Sequence, residues 1–130
     1  MTFSLLYLDK SSGCFAGATA TGNLCVGGWV LRGRPHVGLT ASQGAEPSVL
    51  WGEDALIQMQ KGLSAPTAVE HVTRIDPRRE WRQMAAIDCE GKVSAFSGQQ
   101  NGPIIDEIIE DGLILTGNIL SNETVLPSMY

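Results

Sequence analysis

Met1-Thr2-Phe3-Ser4-Leu5-Leu6-Tyr7-Leu8 opens the chain, and the fold turns on how this stretch is read. It is apolar almost throughout, and Asp9-Lys10-Ser11-Ser12-Gly13 follows it as a turn by composition. Residues 3–8 therefore read as a buried strand, expected inside a sheet rather than at a frayed edge. Thr2 is the residue in the stretch with chemistry of its own. A small residue in second position permits removal of Met1, which leaves a hydroxyl and a free α-amine on one residue. An α-amine titrates near neutrality, at about pH 8. It is therefore competent as the base for its own hydroxyl, the threonine–amine arrangement of covalent catalysis.

Working outward, Cys14-Phe15-Ala16-Gly17-Ala18-Thr19-Ala20 reads as the second arm of a hairpin, in small residues that let another layer approach closely. Residues 24–31 read as a third strand and 36–41 as a fourth. The period then becomes helical from about Trp51 to Lys61, with Leu56, Met59 and Leu63 on one face and Gly62 near the C-cap. A second helix starts at Ser64, with Pro66 in its first turn and an apolar stripe of Ala65, Ala68, Val69, Val72 and Ile75; Pro77 ends it. Strands return at 81–88 and 92–97 around Cys89-Glu90-Gly91. Asp106 to Asp111 reads as one or two helical turns, and Leu113-Ile114-Leu115-Thr116 as a last strand leading into Gly117-Asn118. Strands, then two adjacent helices, then more strands predict a layered α+β domain of antiparallel sheets with helices packed outside.

The 130 residues suit one domain, 43% hydrophobic and 18% charged, with a packed core. A net charge of −5 and the lack of a basic stretch argue against nucleic acid as partner. No run long enough to span a membrane and no export leader is read, so a cytoplasmic location without membrane contact is expected. Cys14, Cys25 and Cys89 are odd in number and widely spaced; they read as small buried apolar residues of a reducing compartment. His36 and His71 stand in no metal-ligand spacing, so no metal and no cofactor are expected.

The polar motifs are few. Ser42-Gln43-Gly44 follows a strand end, where backbone N–H groups and an amide side chain suit an oxyanion hole. Gly117-Asn118 follows another and offers a second donor. Asp76-Pro77-Arg78-Arg79-Glu80-Trp81-Arg82-Gln83 is the densest charged cluster, either an anion site through its guanidinium forks or a salt-bridged strand entry. Glu53 and Asp54 suit the first turn of a helix.

Taken in order, Met1-Thr2-Phe3-Ser4, Gly38-Leu39-Thr40-Ala41-Ser42-Gln43, Gly62-Leu63-Ser64-Ala65, Asp76-Pro77-Arg78-Arg79-Glu80, Ala95-Phe96-Ser97-Gly98 and Gly117-Asn118-Ile119-Leu120 resemble the family known as domain of unknown function 1028. The resemblance runs from residue 2 to about 126. That family is grouped with the N-terminal-nucleophile (Ntn) hydrolases, so the resemblance implies a four-layer αββα sandwich with Thr2 at the nucleophile position. It places Ser42, Gln43 and Asn118 among the polar pocket residues, with Arg82 and Gln83 as weaker candidates. Two departures stand out: Glu46 where the family usually has asparagine, and Asn101-Gly102-Pro103-Ile104-Ile105-Asp106 where it usually carries a tryptophan and a histidine. Family members also continue well past the Gly-Asn segment, so residues 1–130 read as one Ntn-like domain shortened relative to the family. Such a portion leaves apolar surface to cover, and a homodimer or a second chain is expected.

The resulting expectation is an amide hydrolase acting through Thr2 on a small-molecule substrate, with Ser42, Gln43, Asn118 and Arg82 binding substrate or holding the oxyanion. The competing expectation is a catalytically inactive Ntn-like ligand-binding or structural subunit.

Overall fold

The architecture was taken from a computed structural model, which describes residues 1–130. In chain order the elements are β1 (Thr2–Asp9), β2 (Cys14–Thr21), α1 (Val26–Trp29), β3 (Leu31–Arg34), β4 (Gly38–Gly44), α2 (Val49–Gln60), α3 (Ala65–Arg74), a 3₁₀ turn (Arg79–Trp81), β5 (Arg82–Asp88), β6 (Val93–Ser97), β7 (Asp106–Glu110) and β8 (Leu113–Asn118). They form two four-stranded antiparallel sheets, ordered β2-β1-β8-β7 and β3-β4-β5-β6. β1 is central, paired with β2 on one side and β8 on the other.

Period-two alternation sets the layers. Leu6, Leu8 and Ile114 of the first sheet meet Ala41, Ala85 and Ile87 of the second in one buried cluster, so the sheets face each other. The opposite face of the second sheet, with Met84 and Ala86, packs under α2 and α3 through Trp51, Ala55, Leu56, Met59, Ala65, Ala68, Val69 and Val72. The outer face of the first sheet is covered by the turn-rich C-terminal segment, where Leu120 and Leu126 bury Leu115 and pack against Phe3, Leu5 and Ile108. At the far end of that face Tyr7, Ala16 and Ala18 stay exposed.

Several expectations are corrected. Residues 24–31 are not a strand: Cys25 has φ 59°, Leu24 is exposed, and Val26-Gly27-Gly28-Trp29 makes a single helical turn before β3. Two successive glycines give a strand there no side chains with which to hold a sheet. Asp106–Glu110 is a strand and not a helical turn, because Ile108 and Ile109 pair with Leu115 and Ile114 across the Asp111-Gly112 turn. Gly112 takes φ 78°, a left-handed conformation that costs glycine little. All three cysteines are exposed rather than buried. Ile75 is likewise exposed at the end of α3, and Ser64 makes no capping bond to the helix backbone. The N-terminus of α3 is held instead by Asp88, whose Oδ2 accepts from Ala65 N at 2.9 Å while its Oδ1 accepts from Glu90 N and Lys92 N, both at 3.0 Å.

The β1–β2 turn is organised by one carboxylate. Asp9 accepts hydrogen bonds from Ser12 Oγ (2.6 Å), Ser11 Oγ (2.7 Å) and Ser11 N (2.9 Å), which together pull its pKa from 3.8 to about 2. A pKa depressed in the folded state means stabilisation that is complete above the unfolded value and lost as pH falls through the folded one. Carboxyl NMR titration should therefore place the Asp9 midpoint near 2. In Ser12→Ala the midpoint should rise toward 3.8, and the hairpin resonances should begin to shift at a correspondingly higher pH.

Candidate functional site

The layer between the sheets changes character along its length. Alternation sends Thr2, Ser4, Leu6 and Leu8 of β1 inward, Ile114, Thr116 and Asn118 of β8 beside them, and Leu39, Ala41 and Gln43 of β4 with Gln83, Ala85 and Ile87 of β5 opposite. One end is hydrocarbon; the other is hydroxyls and amides. At that polar end Ser4 Oγ donates to Gln43 Oε1 at 2.6 Å. Gln43 Nε2 donates to Gln83 Oε1 at 2.7 Å and reaches Thr116 O at 3.4 Å. Gln83 Nε2 donates to Ser97 Oγ (2.9 Å) and Gly117 O (3.0 Å), and Ser97 Oγ donates to Glu107 Oε2 at 3.0 Å. Both sheets are thus stitched by a chain of side chains that runs from buried Ser4, Gln43 and Gln83 out to half-buried Ser97 and exposed Glu107, and buried polar groups are tolerable when satisfied in this way.

Two atoms are left out of it. Thr116 Oγ1 and Asn118 Nδ2 are buried with no hydrogen-bond partner. Asn118 is the cross-strand neighbour of Thr2 on β8, as Thr21 is on β2. Directly opposed residues hold their Cβ atoms about 4.5–5.5 Å apart, so Thr2 lies between an unused amide donor and a second hydroxyl. Thr2 Oγ1 is 2.9 Å from Thr21 Oγ1, which also donates to Met1 O at 3.1 Å. Thr21 thereby touches both the hydroxyl of Thr2 and the peptide bond that precedes it.

Thr2 is 8% exposed and forms the floor of a cleft of about 260 Å³. Its walls are Thr21 at the end of β2, Asn23, Leu24, Val26, Trp29 and Val30 from the β2–β3 connection, and Gln43, Gly44, Ala45 and Pro47 from the end of β4 and the loop after it. No Asp, Glu, Lys, Arg or His lines it. Proton acceptance from Thr2 inside this cleft is therefore left to the α-amine of Thr2 itself once that amine is free.

Asn101 fixes the cleft wall from behind. It is completely buried. Its Oδ1 accepts from Ala45 N (2.8 Å), and its Nδ2 donates to Arg82 O and Gly98 O (both 2.8 Å). Its backbone oxygen accepts from Ile119 N at 2.9 Å. One residue, through its side chain and its backbone together, thus ties the loop after β4 to the residue after Asn118. Ile119 is held at φ 50°, a strained conformation for a β-branched residue. Gly44, at φ 134°, admits no Cβ because Asn101 Oδ1 and Trp81 O are within 2.8 Å of where it would stand.

The structure brings together four of the sequence candidates, Thr2, Gln43, Gln83 and Asn118, and separates the other two. Ser42 and Arg82 are each one residue from an inward position and so face the helices. Ser42 Oγ donates to Ser48 O (2.6 Å). Arg82 lies over the Trp51 ring, ion-pairs with Asp76 (2.9 Å) and donates to Glu46 O (2.9 Å). Gln43 is close to Thr2, but both ends of its amide are engaged, which makes it a scaffold rather than a donor. The unengaged donor is Asn118 Nδ2. Sequence reasoning did not single out Thr21 or Asn101; the β1–β2 register marks Thr21, and nothing local in the sequence marks Asn101. No grouping of three or more His, Cys, Asp or Glu side chains is placed to hold a metal ion, and no helix is long and apolar enough to cross a membrane.

Comparison with known proteins gives two findings. The sequence profile of a family of unknown function, DUF1028, matches residues 2–130. The crystal structure of a protein of that same family from Silicibacter pomeroyi superposes with a TM-score of 0.95 at 46% sequence identity. That match covers 98% of this chain and 57% of the other, so the chain spans little more than half the length of that relative. None of the curated proteins matches.

The Asn101 clamp has a measurable consequence. Asn101→Ala leaves the Ala45 N–H and the Gly98 carbonyl without their side-chain partner, while the Arg82 carbonyl keeps its bond from Gly98 N. It should cost about 2–4 kcal/mol in urea unfolding, on the scale of buried polar groups left without partners. The largest amide chemical-shift changes should fall at residues 44–47, 82–83 and 98–99, where the lost side-chain bonds are made.

Proposed function

We propose that this chain, which belongs to the DUF1028 family of unknown function, is an amide hydrolase of the N-terminal-nucleophile type, acting through Thr2 after removal of Met1. The observation that carries this reading is the setting of Thr2: a hydroxyl at the floor of a cleft without titratable side chains, beside a buried amide donor that has no other use. The fold is read in the same way. Two facing sheets with helices on one of them supply three layers of an αββα sandwich, and the greater length of the Silicibacter relative leaves room for a fourth.

The chemistry follows from the parts. Thr2 Oγ1 adds to the carbonyl carbon of the amide as its proton passes to the α-amine. Charge developing on the carbonyl oxygen is met by Asn118 Nδ2, a donor already desolvated and fixed by β8. The ammonium then gives its proton to the leaving nitrogen, the C–N bond breaks, and an ester to Thr2 remains. Water, deprotonated by the same amine, hydrolyses that ester and restores the hydroxyl. Thr21, at 2.9 Å from Thr2 Oγ1, positions the hydroxyl and does not itself react.

A second reading has one observation in its favour. While the Met1–Thr2 peptide is intact, Thr21 donates to its carbonyl and Thr2 has no basic amine. In that state the same cleft is a binding site and nothing more.

Covalent labelling separates the two. Protein processed to Thr2 should form an adduct with a β-lactone at that residue, seen by intact-mass and peptide analysis. Thr2→Ala should give none, and Thr2→Ser should keep part of the rate, since hydroxyl and amine both survive. Retention of Met1 should slow labelling about 10²–10⁴-fold, the usual worth of a positioned general base. Equal labelling of Thr2→Ala and the parent sinks the hydrolase reading; full retention of Met1 in protein from the native host leaves the binding reading in its place.

A further inference from the structure

We infer that the cleft above Thr2 takes an uncharged, apolar acyl group, a short aliphatic or a single aromatic ring, and discriminates against acyl groups that carry a charge. The inference rests on the cleft being the substrate site of the reading above, and it assigns the part of the substrate that the chemistry at Thr2 does not specify.

The argument begins with the walls. Leu24, Val26, Trp29 and Val30 come from one segment and Ala45 and Pro47 from the other, facing across the mouth. The polar lining, Thr2, Thr21, Asn23 and Gln43, is entirely uncharged. Charges nearby are already committed elsewhere. Glu46, adjacent to Pro47, is gripped by the Arg78 guanidinium. Arg32, just past Val30, pairs with Glu53 at 3.0 Å and donates to Gly28 O and Leu31 O behind α1. A charged acyl group entering this cleft would lose water and meet no oppositely charged side chain; the one charge there, on the α-amine that Met1 removal frees, serves the amide carbonyl and not the far end of the acyl group, so the loss is costly.

Apolar surface awaiting a partner is the second observation. Leu24 is 90% exposed and Trp29 is 52% exposed, both on the rim. Large apolar side chains held in water on the lip of a cleft gain free energy when a ligand covers them, at about 25 cal/mol per Å² of apolar surface removed from water. At about 260 Å³ the cleft lies just below the usual range for drug-sized ligands, about 300–1,000 Å³. A hexanoyl or benzoyl group fits that scale; a long acyl chain or a peptide segment does not.

Trp29 provides a readout that does not depend on catalysis. The chain has three tryptophans, and each indole N–H gives its own NMR signal. Titrations with hexanamide and benzamide, against adipamate as the anionic and 6-aminohexanamide as the cationic counterpart, should move the Trp29 signal and leave that of the buried Trp51 in place. Both neutral amides should bind at least about tenfold more tightly than either charged one. Leu24→Asp, at a position too exposed to disturb the core, should weaken hexanamide binding severalfold and bring 6-aminohexanamide up to or above it. Equal binding of neutral and charged amides, or shifts that bypass Trp29, would overturn the assignment. The Trp29 shifts and the β-lactone labelling are separate readouts, which keeps the two proposals apart. Loss of β-lactone labelling with intact Trp29 shifts defeats the hydrolase alone, and intact labelling with a preference for charged amides defeats the acyl class alone.

Discussion

The β1 strand is hydrogen-bonded on both sides, and the rest of the site depends on the register this imposes. Thr2 is opposed to Thr21 on one flank and Asn118 on the other, while Leu6, four residues along the same face, is fully buried against the second sheet. A slip of one residue would turn Phe3, Leu5 and Tyr7 inward and carry Thr2 to the opposite face of the sheet, away from the cleft. The apolar half of the inter-sheet layer therefore fixes the position of the polar half. Packing of Leu6 and Leu8 against Ala41, Ala85 and Ile87 determines, at a distance, what stands next to the Thr2 hydroxyl.

The polar half is expensive to build. Ser4, Gln43, Gln83 and Thr116 occupy positions where aliphatic side chains would pack without desolvation cost, and the chain of hydrogen bonds from Ser4 to Glu107 offsets most of that cost. Two of the exceptions are informative because they lie together, whereas the third, Arg82 Nε, is on the helix-facing side of β5 against Asp76. Two orphaned polar atoms, on Thr116 and Asn118, lie on one strand, and the strained Ile119 follows at once. Buried polar groups without partners and backbone strain persist where surrounding structure over-determines them, and they concentrate at functional sites. Asn101 is the over-determining element: its side chain and backbone together hold Ala45, Arg82, Gly98 and Ile119 in fixed relation.

How much of this was legible in the sequence depended on the range of the cause. β1 declared itself because an unbroken apolar run has one good use, a buried strand, and α3 because its stripe repeats at helical spacing. Residues 24–31 misled because Leu24, Val26 and Trp29 look like strand residues, whereas Gly27-Gly28 and the left-handed Cys25 remove the side chains and the backbone geometry a strand needs. β7 was hidden by its acids: Asp106, Glu107 and Glu110 are poor strand formers, and only pairing with β8 makes the segment extended. Ser42 and Gln43 could be located at a strand end, but which of the two faces inward depends on the register with β5, a long-range fact. Arg82 was ambiguous for the same reason. Thr21 and Asn101 were out of reach, since a threonine in a strand and an asparagine beside a glycine carry no local sign of what they touch.

A cleft that contains no acid or base side chain has an unusual dependence on covalent state. In most active sites the proton acceptor is a side chain, present from the moment the chain folds. Here every candidate acceptor inside the cleft is a neutral hydroxyl or amide, and the sole group with a pKa near neutrality is an α-amine locked in the Met1–Thr2 peptide. Cutting that bond changes no packing in the inter-sheet core: Leu6, Ile114 and the Gln43–Gln83 pair are indifferent to it. It releases a base within the same residue as the hydroxyl and frees Thr21 Oγ1 from the Met1 carbonyl. On the proposed hydrolase reading, the fold supplies position and an oxyanion donor in advance, and reactivity waits on one peptide bond. A preorganised, desolvated donor at Asn118 makes sense on those terms, because it costs stability continuously and returns it only when charge develops beside it.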